Sequence, residues 1–358
     1  MSGVADDAAS DVSSHASHGS TRLHTVDALR GLAALAVAFF HTTSGNPSLM
    51  TGEPLQQVGR WGWLGVDVFF VISGFVIPFA LERGGYHWRD AGRFITKRVV
   101  RIDPPYFATI VLAIALGWLS AQMPSFRGKP FAVDAGTLAL HVGYLVDIAG
   151  RAWAVPAFWT LALEFQFYLA MALLFPFVRH ERGWVRALTI GAFALGTFAL
   201  RERPYLPTWG SWFALGMLAH TYRAGRVGRA PFVAGVLACA ALIGVAATPA
   251  QAVVAATTAL VIAFVALERP RLALLGTLSY SLYLVHEPIG GRVVNFAVHF
   301  TDRSPWLNAG VVLVSLVVST AAAWVMYRLV EGPSQRFSSR IRYAPARSVE
   351  AMPPSVHQ

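Results

Sequence analysis

The residues best suited to chemistry are polar groups set singly into apolar sequence. The first is His41, inside the apolar, helix-length run 29–40, at whose start stand Asp27 and Arg30. An ionisable imidazole in a membrane-spanning segment costs free energy to insert and is seldom there for packing. At 1.5 Å per residue, Arg30 and His41 stand roughly 16 Å apart along one helix, about three turns, so their side chains share a face. Arg30 is expected at the cytoplasmic boundary and His41 past the midplane. A guanidinium and an imidazole on one stripe suggest a polar path through a bundle; an interfacial anchor plus a histidine bonded to a neighbouring helix is the alternative.

Four further clusters follow. In 62–75, Asp67 opens its span at a depth close to that of His41, where a carboxylate could hold the imidazole in one tautomer and stabilise its cation. Capping of its own helix is the other reading of Asp67. Ser73 and Gly74 in the same stretch permit close helix approach. Arg98 and Arg101, at i and i+3 before Pro104 and Pro105, share a helix face from which two guanidinium groups can clamp phosphates, although topology alone also collects arginines there. In 159–168, Glu164, Gln166 and Tyr168 interrupt an apolar helix; Glu164 and Tyr168 share a face, and the carboxylate needs a cavity or a partner such as Arg30. In 275–288, Ser279, Tyr283 and His286 follow helical spacing and either line one cavity or bond across helices. The remaining histidines, His141 among them, fall in tails, loops or helix ends and receive no role.

The elements that must position these groups are membrane helices. Of 358 residues, 55% are hydrophobic and 13% charged, and the mean hydropathy of +0.51 is that of an integral membrane protein. The fold class expected is an all-α, polytopic helical bundle of about ten spans, near 27–46, 61–81, 102–122, 158–178, 187–201, 205–221, 231–247, 250–267, 272–292 and 306–329. The polar stretch 1–24 reads as an unstructured cytoplasmic tail, 25–333 as the membrane domain and 334–358 as a cytoplasmic tail. With the N-terminus inside, 21 of the 29 lysines and arginines fall on the cytoplasmic side, which sets both termini in the cytoplasm. The segment 123–157, broken by prolines and glycines, reads as an outer loop with a helical or re-entrant piece. The net charge of +10 forms no basic stripe with interleaved aromatics, so nucleic acid is not an expected partner. The single cysteine, Cys239, excludes a disulfide or cysteine metal site within one chain and reads as helix packing. No metal is expected.

Taken together, the five clusters and the terminal Tyr327-Arg-Leu-Val-Glu331-Gly-Pro333 resemble the membrane-bound acyltransferase 3 family, the bacterial O-acyltransferases of surface polysaccharides and related acceptors. The resemblance runs from about residue 25 to about 333. It implies that His41 is catalytic, that Arg30 belongs to the same motif, and that Arg98 and Arg101 are tied to activity. Where the family usually carries two acidic residues in its fourth-span motif, this chain has Glu164 followed by Phe165, so Glu164 alone is carried over. Some members bear an added extracytoplasmic hydrolase-like domain; without one, acceptor choice is expected to lie with the bundle and its loops.

The resemblance further implies a bacterial inner-membrane O-acetyltransferase with no cofactor beyond an acyl-CoA co-substrate, acetyl-CoA by default, and a glycan or lipid-linked sugar as acceptor. In the expected mechanism the donor phosphates meet Arg98 and Arg101. His41, held by Asp67 or Glu164, deprotonates an acceptor hydroxyl or carries the acyl group covalently. Tyr168, Ser279, Tyr283 and His286 are expected to line the substrate path with Arg30. Competing readings are acylation of a macrolide-type small molecule, a proton-coupled secondary transporter in which His41, Asp67 and Glu164 relay protons, and a non-catalytic partner in an export complex.

Overall fold

The computed structural model describes residues 5–46, 49, 54–123, 133–199, 204–267, 270–297, 300–301 and 304–343. Helices α1 (Ala5–Thr42), α2 (Pro54–Gly59), α3 (Gly65–Arg83), α4 (Ala91–Ala121), α5 (Ala135–Val142), α6 (Trp159–Val178) and α7 (Gly183–Leu195) make up the first half. Helices α8 (Gly210–Arg223), α9 (Arg229–Ala246), α10 (Pro249–Phe264), α11 (Pro270–Val285), α12 (Gly291–Ala297), α13 (Pro305–Met326) and α14 (Gly332–Ser339) complete it. The described residues contain no strand, so the fold is all-helical.

A helix lies over each of the ten expected spans, but length and composition support a smaller number. Among the described residues, five helical stretches are long and apolar enough to cross a membrane: Pro54–Arg83, Trp88–Ala121, Pro156–Val178, Arg229–Ala246 and Pro305–Ser339. Several of the others fall short in length: α8 has 14 residues, and α10 and α11 have 16 each. Helix α8 is buried along nearly its whole length among α3, α7, α9 and α10. Helix α11 gives way at His286–Gly290 to a π-helical turn before α12.

At the N-terminal end α1 runs back to Ala5 as one helix; nothing in 5–24 is a proline, and without one a helix can continue at small cost. At the other end the expected boundary at 333 falls within α14, and packing continues to Tyr343, whose ring lies against Gly84 and beneath Lys97. Residues 344–358 lie outside the described part.

The segment 133–158 packs into the bundle against α4 and α6. Asp134 caps α5 by accepting from the Thr137 hydroxyl and amide, and these bonds hold its carboxyl below its ordinary range. Beyond α5, Tyr144 adopts a φ of 57°, a left-handed conformation uncommon outside glycine. Its hydroxyl reaches Asp103 of α4 at 2.8 Å and its ring stacks on Phe165 of α6. The loop thereby fills space between two spans, held also by the buried His141, which bonds the Tyr106 hydroxyl at 2.7 Å.

Close backbone contact holds α3 against α8. A Cβ on Gly216 would stand 2.1 Å from the Val71 carbonyl oxygen, and one on Gly74 would stand 2.2 Å from that of Phe213. Small residues let helices approach to this distance, which is how helices associate where lipid supplies no hydrophobic drive. Gly216→Val is expected to force the pair apart and cost about 1–3 kcal/mol or more. Gly191→Ala, with nothing within 4 Å of an added Cβ, should be neutral or slightly stabilising. Thermal unfolding in detergent measures both, and equal midpoints would contradict the packing described.

Candidate active site

Two neighbouring chambers lie within the bundle. The first is lined by Arg30 of α1, Arg98 and Arg101 of α4, Glu164 and Tyr168 of α6, Ser279, Tyr280 and Tyr283 of α11, and Glu331. Helix α4 presents its arginines just before consecutive prolines, Pro104 and Pro105, which withdraw the two amide donors that would meet the carbonyls of Val100 and Arg101. Glu331 closes a second π-helical turn, Tyr327–Glu331, between α13 and α14. π turns inside longer helices recur at functional sites because the added residue re-aims side chains.

The charges in this chamber are unevenly satisfied. Glu164 accepts from the Ser73 hydroxyl at 3.1 Å and the Tyr168 hydroxyl at 2.6 Å. Glu331 accepts from the Ser281 amide at 3.1 Å, the Ser281 hydroxyl and the Gln335 side chain. Both carboxylates are thus met by neutral donors. Arg98, Arg30, Tyr168 and Glu331 all lie within electrostatic range of Arg101. Yet among the described residues no carboxylate stands within 4.0 Å of a nitrogen of Arg30, Arg98 or Arg101. Arg98 is 7% exposed, rests on the rings of Phe94 and Tyr168, and leaves its Nε without a hydrogen bond. Guanidinium groups with open donors in a low-dielectric wall are suited to a multivalent anion.

The second chamber is lined by His41, Phe40, Trp63, Asp67, Trp159 and Trp209. Val66 and Tyr283 line both chambers. Between the two lies an apolar waist in which Val37, Ala157 and Tyr283 are buried against Val66 and Phe69. The Tyr283 hydroxyl is held there by Thr160 Oγ1 at 2.6 Å and the Ala157 carbonyl at 3.0 Å. The Ala157 amide in turn donates to Glu287 at 3.0 Å.

His41 and His286 face one another with ring centroids 5.1 Å apart. The Nδ1 of His286 lies 2.7 Å from the Tyr283 carbonyl, which can only accept, so the proton sits on Nδ1. Its buried Nε2, without a partner, is therefore a lone-pair acceptor. The π turn that begins at His286 sets this ring at the level of His41.

The expected residues thus divide. Arg30, Arg98, Arg101, Glu164, Tyr168 and Ser279 converge on the first chamber, and Tyr283 stands at the waist. His41 and Asp67 line the second chamber, and His286 packs on His41. Two expected contacts are not made. Glu164 sits with Ser73 and Tyr168 rather than with His41 or in an ion pair with Arg30. Asp67 shares the chamber of His41 but directs Oδ1 to the Trp212 indole N–H and to Gln251 Nε2, the latter at 3.0 Å. A carboxylate buried in a bundle bonds the donors that neighbouring helices bring to it, and α8 and α10 bring these two. Ser279 spends its hydroxyl on the Gly276 carbonyl at 2.7 Å.

Sequence reading passed over Glu331 and Tyr280, which line the first chamber, and Trp212 and Gln251, which bond Asp67. Glu331 stood in a motif already noted, and Gln251 is an isolated amide in an apolar helix, the kind of signal that marked Glu164. Tyr280, whose hydroxyl bonds the Ile102 carbonyl at 2.9 Å, and Trp212 carry no such signal.

Comparison with known proteins agrees with this geometry. The profile of the acyltransferase 3 family, described as an acyltransferase domain, matches residues 23–328. The chain is 30% identical to a protein of Komagataeibacter xylinus that carries the provisional name membrane-bound transacylase BcsY, over 89% of this chain and 84% of that one. It is 27% identical to acyltransferase MdmB of Streptomyces mycarofaciens, over 90% and 94% of the two chains. It is 28% identical to O-acetyltransferase OatA of Staphylococcus aureus, over 44% of this chain and 25% of OatA. No solved structure matches. A helical bundle with buried cationic and imidazole chambers, matched by this profile over most of its length, belongs to the membrane-bound acyltransferase 3 family and is an O-acyltransferase.

Proposed function

We propose that the chain transfers an acyl group, acetyl by default, from cytoplasmic acyl-CoA to a hydroxyl of a surface or lipid-linked glycan. In this reading ten spans cross the bacterial cytoplasmic membrane with both termini inside, and the arginine chamber faces the cytoplasm. The observation that carries the proposal is the placing of three guanidinium groups, without a carboxylate partner among the described residues, beside a chamber lined by His41, with Val66 and Tyr283 lining both. The donor's phosphates engage Arg98, Arg101 and Arg30, and its thioester reaches past Tyr283. The name of OatA supports acetyl as the group and a hydroxyl as its destination.

The chemistry follows from the imidazoles. His41 takes the proton of the acceptor hydroxyl as its oxygen attacks the thioester carbonyl. The C–S bond breaks, an oxygen ester forms, and the CoA thiolate leaves with the proton returned by His41. His286 supplies a neutral acceptor beside the imidazolium, the service expected of Asp67 from sequence. As a neutral ring with its centroid 5.1 Å from that of His41, it places no second charge beside that cation.

Purified protein in detergent should release free CoA from acetyl-CoA in the presence of a membrane glycan extract. His41→Ala is expected to lower kcat by about 10²–10⁴, and near-normal transfer by that variant would overturn its role. Arg98→Ala should raise the KM for acetyl-CoA by roughly 10- to 100-fold with a smaller change in kcat, as expected for loss of a charged hydrogen bond to the donor. An unchanged KM in Arg98→Ala, with Arg98→Lys as a folded control, would remove the phosphate assignment.

A further inference from the structure

A further cavity adjoins the chamber around His41. Trp63 and Trp209 border both, and the wall of the further cavity includes Thr197, Trp212, Thr248 and Gln251. The ring centroids of Trp159 and Trp209 are 5.3 Å apart and those of Trp209 and Trp212 5.0 Å, so a strip of indoles runs from one cavity into the next.

Tryptophan near a membrane boundary is commonly an anchor turned toward lipid headgroups. Two observations separate this strip from an anchor. Trp212 is 2% exposed and commits its indole N–H to Asp67, while Trp63 and Trp209 line cavities inside the protein. Asp67, moreover, is only half satisfied. It is 1% exposed; Oδ1 takes both Trp212 and Gln251, and the buried Oδ2 has no partner. A buried carboxylate oxygen left without a donor is costly, and a hydroxyl brought to it recovers that cost.

We propose that these adjoining cavities form the acceptor subsite and that a pyranose ring occupies them. The apolar C–H face of the ring lies on the indoles of Trp63 and Trp209, and one ring hydroxyl donates to Asp67 Oδ2. That bond orients a neighbouring hydroxyl toward His41. A site of aromatic walls with few placed polar groups suits a ligand that is apolar on its faces and polar at its rim. A plain aliphatic alcohol would use the indoles and leave the carboxylate unsatisfied, so Asp67 selects for a polyol. The inference rests on the acyl-transfer reading of the His41 chamber.

Saturation-transfer NMR of the full chain in lipid nanodiscs, with methyl glycosides of glucose, galactose, mannose, rhamnose and N-acetylglucosamine, tests it. Saturation is expected on the ring C–H protons of at least one glycoside. That binding should weaken about tenfold or more in Trp209→Ala and in Asp67→Asn, and be largely kept in Trp209→Phe. Saturation of none by the native chain, or equal saturation in Trp209→Ala, would overturn the subsite. Calorimetric titration with acetyl-CoA separates this from the underlying reading and reports folding of each variant. Donor binding without glycoside binding removes the subsite alone, whereas glycoside binding without donor binding removes the donor assignment and leaves the subsite standing.

Discussion

Burying a guanidinium in a membrane bundle is costly unless something anionic or polar meets it, and the arrangement around Arg30, Arg98 and Arg101 follows from that constraint. The two carboxylates of the same chamber are taken up by serine, tyrosine and glutamine donors. Arg98 rests on aromatic faces, which accommodate a cation without neutralising it. The result is a chamber whose cationic groups keep donors open for an anion from solution. Its far wall, at Val37, Ala157 and Tyr283, is apolar and narrow. Such a wall suits an acyl chain and opposes passage of phosphate.

Departures from regular helix place the chemistry. Both π-helical turns end or begin at a site residue, His286 in one and Glu331 in the other. The prolines of α4 stand three and four residues after Arg101, and the glycines of α3 and α8 draw together the helices that carry Asp67 and Trp212. The segment 133–158 brings Ala157 to the waist, where its carbonyl fixes Tyr283. Each irregularity would weaken an isolated helix. In the bundle each one turns a polar group toward a cavity instead of lipid.

Much of this was legible in the sequence, because a polar residue within an apolar run is conspicuous. Arg30, His41, Arg98, Arg101, Glu164 and Tyr283 were found in that way, and helical spacing correctly set Arg30 and His41 on a face reaching both chambers. Partners were not legible. Asp67 and His41 are close in depth, yet the hydrogen bonds of Asp67 go to α8 and α10, and nothing local in 62–75 indicates which helices will stand beside it. His286 was noted only as a lining residue; its place against His41 depends on a π turn that residue spacing does not announce. Enclosure was not legible either: hydropathy reports apolar composition, and α8 is apolar and enclosed by other helices.

The central claim is that donor and acceptor enter from opposite ends and meet at the waist. Proteoliposomes of uniform orientation, with radiolabelled acetyl-CoA on one face and a glycan acceptor on the other, test it most directly. Label should reach the acceptor when the donor is supplied at the arginine face and the acceptor at the His41 face, and not when the two are exchanged. Equal labelling in both arrangements, or labelling with both substrates confined to the His41 face, would contradict it.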